Sequence, residues 1–403
     1  MRPPNSGRVR SGRSRCVTGA SSDAAIWKKC IGRFSYMYLR DPLAKKLLRP
    51  AYTAACGIQT LCNTVVPRRS GLSVYYGGAR TGDMGGPLVK VKRLREYFPE
   101  VRWGFNLVYL LSNAPYLPGY ALDVLKRRGV PIVHNQNGVF YKAWYAGDWV
   151  AQNRRMARSY HAADWVFYQS EFCRRAADRF LGPRSGPGEI LYNAVDTTRF
   201  APAQGSAAGA RDGYRFLVTG KIGNHLYYRL ESSIAGLKVA CNGGLDARLL
   251  VAGWVEGGAR SRAERLAASL NISDRLVFTG PYTQEEAPAV YRSADAYIMT
   301  KHNDPCPNTV LEALATGLPV LYSDSGGVPE LAGAETGIAL PCPEDWDRPR
   351  APSAEAVGEG MLCIAAGHDG FSAAARRRAV ERFDIAHWVD RHRTLFNQLI
   401  AAR

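Results

Sequence analysis

Short apolar runs alternate with longer segments whose apolar residues fall three and four apart, and this alternation repeats along most of the chain. A brief apolar run stopped by glycine or polar residues predicts a strand buried on both faces. Spacing of three and four predicts a helix with one buried side. A first series of strands is predicted at Leu72–Gly77, Asn106–Leu111, Val130–His134, Trp165–Tyr168 and Glu189–Tyr192. Helical segments separate them at Gly119–Arg128, Asp148–Ala163 and Glu171–Leu181, and another follows Gly85-Gly86, with Leu88, Val91 and Leu94 on one side. A second series is predicted at Tyr214–Thr219, Arg248–Ala252, Leu276–Thr279, Ala296–Met299 and Pro319–Tyr322. Between the series lies APAQGSAAGARDG, residues 201–213, a small-residue linker. The expected fold is therefore α/β, with two doubly wound parallel sheets facing across a cleft. The expected boundaries are an N-terminal extension over 1–71, a first sheet domain over 72–205, a second over 213–382 and a closing helix over 383–403.

The densest patterning is in KHNDPCPNTVLEALATGLPVLYSDSGGVPELA, Lys301 to Ala332. Pro305 and Pro307 keep its start out of a helix, Asn308 is a natural N-cap, and Thr309 to Thr316 can run as a short helix. Gly317 and Pro319 end that helix before a buried strand. A helix start with free N–H groups is a ready anion site. Asp304 and Glu312 bracket this one, and amides with flanking carboxylates suit a sugar nucleotide. Taken alone, the fragment fits an ordinary strand–helix unit with one solvent-facing acid equally well. Earlier, the polar loop HNQNGVFYKAW lies at the carboxyl end of a strand, where α/β ligands bind. There Asn137 is the candidate contact; His134 is either a second contact or a core histidine at the strand end.

Charge changes the picture mainly at the N-terminus. The net charge is +18, and fourteen Lys and Arg against two Asp and Glu place +12 of it in residues 1–71. Residues 1–22, rich in Arg, Ser, Gly and Pro, are expected to be disordered. Residues 24–66 mix apolar and basic groups, which predicts short amphipathic helices that either lie flat on an anionic membrane or pack as a helical extension on the body. Ala51 to Val66 is uncharged but short for a membrane span and carries Gln59 and Asn63. No regular array of aromatics accompanies the basic residues, so nucleic acid is not expected as a partner. The nine cysteines form no C-x-x-C pair, which argues against a zinc site or a disulfide framework and for a cytoplasmic location. Asp345-Trp346-Asp347 has the form of a metal-binding D-x-D, but no suitable strand precedes it, and it reads as a solvated acidic loop before a helix over Ala354–Ala366.

Three stretches together resemble the retaining glycosyltransferases of family 4, whose GT-B fold has two Rossmann-like domains. They are AADWVFYQSEFCRRAADRFLG, EILYNAVDTTRFAP and the Lys301–Ala332 stretch, and the resemblance covers roughly residues 72–403. It implies a nucleoside diphosphate sugar as donor, a glycan, polysaccharide or lipid-linked glycan as acceptor, and no metal or other cofactor. It assigns the ribose hydroxyls to Glu312, the donor sugar to Asp304, and the distal phosphate to the amides of Asn308, Thr309 and Val310. The family has glutamate where this chain has Asp304. Gly220-Lys221 and Arg229 match the family's basic pair that neutralises the leaving diphosphate, although Arg229 stands further along than usual. Gly85 and Gly86 resemble its glycine loop near phosphate and acceptor. Asn137 stands where the family often has histidine, so no proton transfer is expected from that loop. Two other readings are a GT-B enzyme that turns over nucleotide sugars without an acceptor, such as an epimerase, and a degenerate scaffold that binds anionic surfaces.

Overall fold

The computed structural model describes residues 43–82, 86–203 and 213–403. The expectations for residues 1–42, for Gly85 and for most of the linker lie outside the described residues. The first described element is α1 (Leu43–Cys62), a single 20-residue helix. The first sheet then assembles β1 (Val74–Tyr75), β2 (Leu107–Leu111), β3 (Ile132–Gln136), β4 (Trp165–Tyr168) and β5 (Gly188–Ile190). All are parallel and lie in chain order. Between them run α2 (Gly86–Tyr97), α3 (Gly119–Arg127), α4 (Trp149–Ala162) and α5 (Glu171–Leu181).

Chain order alone would wind every crossover onto one face, yet both faces are covered. The reason is a bridge from Glu100 to Val74 on the edge of β1 opposite β2. The chain leaves β1 through α2 toward that outer edge, then crosses back to start β2. With right-handed connections, α2 falls on one face and α3 to α5 on the other. Each face has its own core. Val108, Ile132 and Val166 pack with Leu122, Met156 and Ala176. Tyr109, Val133 and Phe167 pack with Val91 and Leu94 on the opposite side. Neighbouring strand residues alternate between the cores, as the two-residue pleat requires.

The second sheet contains β6 (Tyr214–Thr219), β7 (Ala247–Ala252), β8 (Leu276–Gly280), β9 (Ala296–Met299), β10 (Val320–Ser323) and β11 (Gly337–Leu340). Its order is β11-β10-β9-β6-β7-β8, all parallel. The direction of winding reverses between β6 and β9, so their carboxyl ends form the crevice where such sheets bind ligands. One face carries α6 (Tyr227–Asn242), α7 (Gly257–Ser269) and α11 (Ala354–Ala366). The other carries α8 (Ala287–Arg292), α9 (Asn308–Ala315), α10 (Val328–Ala332) and α12 (His368–Phe383).

The final helix, α13 (Ile385–Ala401), is separate from α12 because Asp384 is extended and caps it, accepting from the Ala386 amide at 2.8 Å. It returns to the first domain and lays Trp388, Val389, Leu395 and Phe396 over the open face of that sheet. Two local details differ from the sequence reading. Helix α9 starts at Asn308 itself, with Pro307 in the cap position, where its missing N–H costs nothing. The edge strand β11 was not anticipated, since Gly-Ile-Ala-Leu is too short and too lightly patterned to stand out.

Candidate active site

The site is built on the segments immediately after β6 and β9. Strand β6 ends at Thr219, and Gly220 then takes φ +123°, a conformation that side chains rarely adopt. That turn leaves room beside the guanidinium of Arg229, which comes from the first turn of α6 and is only 3% exposed. Arg229 donates to the Thr219 carbonyl at 3.3 Å, while its Nε is buried without a partner among the described residues. Lys221 lies with its amine 4.9 Å from the centre of the Trp254 ring, and burial pushes its pKa down. The glycine and both basic residues read from the sequence therefore gather at the end of β6.

After β9 the chain runs through a pinned loop to α9. Asn303 has a left-handed backbone (φ 50°), and its side-chain amide donates to the Asp345 carbonyl at 3.0 Å. Gly326 lets the second turn approach: a β-carbon there would stand 2.6 Å from the Asp304 carbonyl. Asp304 is 8% exposed and pairs with Lys301 at 2.7 Å. Burial alone would push the Lys301 amine down, but the Asp304 carboxylate outweighs it and raises the pKa. Lys301 was not singled out from the sequence, although its i,i+3 spacing from Asp304 was a signal. Tyr228, in the first turn of α6, accepts from the His302 amide at 3.2 Å and ties the loop to the Arg229 turn.

At α9, the Asn308 and Thr309 amides have no preceding helical carbonyl. The Val310 amide is already engaged, donating to Pro307 at 3.2 Å, so it is not the free donor expected. The side-chain oxygen of Asn308 is buried without a partner among the described residues. Glu312 sits one turn in and accepts from the Tyr291 hydroxyl at 2.9 Å. Burial pushes its carboxyl up to about 7, against the opposing pull of that hydrogen bond and of Arg93 and Arg199. No sequence signal marked Tyr291 or Arg93; both reach Glu312 only through the fold.

The first domain supplies the opposite wall. Gly86 opens α2 and is exposed, and a β-carbon there would meet no described atom within 4 Å. Further along α2, Lys90 is buried and donates to Asn135 at 3.1 Å, its amine pushed down to about 7 by burial. Asn137 comes just after β3, half-buried, and pairs with Ser112: its amide donates to the Ser112 hydroxyl at 3.2 Å. His134 does not join the site. It is fully buried on β3, bonded to Gln136 at 3.0 Å and edge-on to Tyr160, and burial holds its pKa down at about 4. The alternation along β3 points it into the core shared with α4, so the core-histidine reading holds.

The two walls meet in direct contacts. Ser170 donates to the Pro305 carbonyl at 2.7 Å, and the Asn193 side chain donates to the Cys306 carbonyl at 2.8 Å. Cys306 is a buried member of this contact, its thiol raised by burial. Glu330, from α10, accepts the Glu171 and Phe172 amides at 2.7 and 2.9 Å. The Asp345–Asp347 loop is solvated at Asp347, as expected, but not at Trp346. Trp346 stacks on Phe172 at 5.2 Å and meets Tyr141 edge-on at 4.8 Å, because the first domain offers an aromatic pocket that its ring can fill. Asp345 is committed to the loop itself, accepting the Asp347 and Arg348 amides and pairing with Arg350 at 2.7 Å.

Comparison with known proteins places this geometry. Residues 67–199 match the family described as Glycosyltransferase Family 4, and residues 233–349 match Glycosyl transferases group 1. A D-inositol 3-phosphate glycosyltransferase of Mycobacteroides abscessus is 31% identical over 203 residues, which is 47% of this chain and 42% of that protein. A GDP-mannose-dependent alpha-mannosyltransferase of Mycobacterium tuberculosis is 29% identical over 279 residues, 65% of each chain. The chain thus spans less than half the length of the first relative and just under two thirds of the second. Among solved structures, a sucrose-phosphate synthase from Thermosynechococcus elongatus superposes with a TM-score of 0.58 at 20% identity, covering 75% of both chains. Anabaena HepE in complex with UDP superposes at 0.60 and 14% identity, covering 86% of this chain and 96% of that one. With Glycosyltransferase Family 4 matched over the first sheet domain and Glycosyl transferases group 1 over the second, both sheet domains are glycosyltransferase domains, and together they have the GT-B fold.

Proposed function

We propose that this chain transfers a sugar from a nucleoside diphosphate sugar to an acceptor hydroxyl of a glycan, polysaccharide or lipid-linked glycan, with retention at the anomeric carbon. The observation that carries the reading is the grouping of a buried arginine, a helix start and a half-buried carboxyl at the carboxyl ends of β6 and β9. In this reading Glu312 takes the ribose hydroxyls, since a carboxylate can accept from two neighbouring hydroxyls at once. Arg229, Lys221 and the Asn308 and Thr309 amides take the diphosphate. The bond from the anomeric carbon to the phosphate oxygen breaks, and the acceptor oxygen bonds to that carbon on the same face. The acceptor's proton passes to the departing phosphate oxygen. The charge that develops on the diphosphate is met by fixed donors, which lower the barrier most where water is excluded. In the same reading Asp304, paired with Lys301, takes the donor sugar. This charge arrangement needs no divalent ion, and activity should persist in excess EDTA. The free thiols of the described cysteines suit the cytoplasm, where nucleotide sugars are made.

The test is donor titration with UDP-glucose and GDP-mannose as probes, then NMR of the anomeric proton in the product. Glu312→Ala should weaken binding of the accepted donor by roughly tenfold or more, the worth of one or two hydrogen bonds to a charged group. Unchanged binding would refute the site, and an inverted product would refute retention.

A further inference from the structure

Helix α1 presents an unpartnered apolar face. Leu48, Ala51, Ala55, Ile58, Leu61 and Cys62 are all exposed and recur at helical spacing, with Leu48 at 68% and Ile58 at 57%. The rotation of the helix is set by its other side. Tyr52 donates to the Gly78 carbonyl at 2.6 Å, Cys56 and Thr60 are buried, and Asn63 accepts the Gly104 amide at 2.7 Å. The apolar side is therefore turned outward by contacts that hold the helix against the first domain.

The ends of this face are basic. Residues 43–71 contain no Asp or Glu, and Lys45, Lys46 and Arg49 lie at the start of the stripe in sequence. Arg68 and Arg69 are exposed just after it, and Arg128 donates to the Thr64 carbonyl at 2.5 Å, bringing a further cation to the same end. The neighbouring α3 contributes exposed Lys126 and Arg127 against exposed Asp123. Residues 1–42, which lead into the helix, carry nine Lys and Arg against two Asp and Glu. No described helix is long and apolar enough to cross a membrane. We infer that this face of α1 docks in the plane of an anionic lipid bilayer, with its apolar stripe in the headgroup boundary and the flanking cations on lipid phosphates. Apolar side chains rimmed by cations match the two layers of such a surface, one apolar and one negative. A face made for a second protein copy would meet the same cations on the partner.

Cys62 lies on this face and supplies a built-in probe, with exposed Cys363 in the second domain as control. The full chain is treated with a maleimide, alone and with vesicles of phosphatidylcholine containing phosphatidylglycerol, and the labelled peptides are read by mass spectrometry. Cys62 should label in the free protein and be protected by the anionic vesicles, with Cys363 unaffected. In co-sedimentation, the Ile58→Glu/Leu61→Glu double variant should lose roughly tenfold or more in partitioning. Arg68→Gln and Arg69→Gln should lose about fivefold each, and only on anionic vesicles. These side chains are exposed, so the fold should survive, as circular dichroism would check. Cys62 unreactive in the free chain would overturn the inference, since the face would already be covered by residues 1–42 or by a second copy. So would equal labelling with and without vesicles, or a double variant that sediments like the parent.

Discussion

Glu330 offers the sharpest test of how the domains are joined. The first N–H groups of α5 have no helical partners of their own. Ser170 satisfies one from within the first domain, accepting the Cys173 amide at 3.1 Å. The Glu171 and Phe172 amides are satisfied from the second domain, by the two oxygens of Glu330. The Tyr192 hydroxyl adds a third donor at 3.3 Å. Glu330→Gln keeps the size but offers a single carbonyl oxygen, so its NH2 must face one N–H donor. A hydrogen bond to a charged group contributes about 1.5–3 kcal/mol and a neutral one about 0.5–1.5. The favourable charge at the helix start adds roughly 0.3–1 kcal/mol. Because Glu330 is half-buried and partly screened, a net loss of about 2 kcal/mol is expected. That is about thirtyfold in the ratio of docked to undocked states. Amide hydrogen exchange in a peptide spanning residues 170–173 should quicken by about that factor, while peptides in β9 and β10 keep their protection. Unchanged exchange at Glu171 and Phe172 would refute the capping argument, because no other described group bonds these amides.

The donor site yields further expected outcomes. Glu312 has its carboxyl raised from the ordinary value of 4.5 to about 7 by burial, so the folded state holds its proton more tightly than the unfolded chain. Its contribution is fully present below 4.5 and is lost as pH rises through about 7. The stability difference between the parent and Glu312→Gln, from urea midpoints, should therefore shift in favour of the variant by about 2–3 kcal/mol over that range; a flat difference would count against the burial argument. Arg229→Ala should weaken binding of a nucleoside diphosphate more than binding of the nucleoside alone, by calorimetry, and equal losses would remove Arg229 from the diphosphate site. Asp304→Asn should lower kcat with little change in donor Kd, since its proposed contact is with the sugar rather than the nucleotide, and the reverse pattern would move Asp304 out of that role. Trp346→Ala should cost about 2 kcal/mol in urea stability, a half-buried share of the usual core tryptophan loss, and no loss would mean that the aromatic pocket does not anchor the loop.

Local features were legible where the chemistry was local. The two strand series, the Gly220 turn, the helix at Asn308 and the bracketing acids all rest on residues within a few positions of one another, and periodicity and turn residues report such neighbours. Partners from distant sequence were not legible. Tyr291 reaches Glu312 from a different helix, Arg93 faces it from the other domain, and Trp346 looked solvated because its pocket is made by Tyr141, Phe172 and Phe180. His134 shows the same limit in reverse: a polar residue in a polar loop motif, yet the pleat turns it inward.

The three stretches that carried the family resemblance show why motif and fold agree. Each reads on its own as a local unit: a helix start at Ser170, a strand end at Asn193, a glycine turn at Gly326-Gly327. In space they are one contact. Ser170 and Asn193 bond the Pro305 and Cys306 carbonyls, and Glu330 closes on the helix that Ser170 begins. A β-carbon at Gly327 would stand 2.7 Å from the Ser170 hydroxyl oxygen, so this turn must be glycine for the domains to meet. The residue types in these stretches are therefore set by the interdomain joint as well as by the donor site. A variant that loosens the joint should change donor binding without touching a donor contact. The Glu330→Gln variant tests this: it touches none of the proposed donor groups, yet donor affinity should fall with docking, and an unchanged Kd would separate the joint from the site.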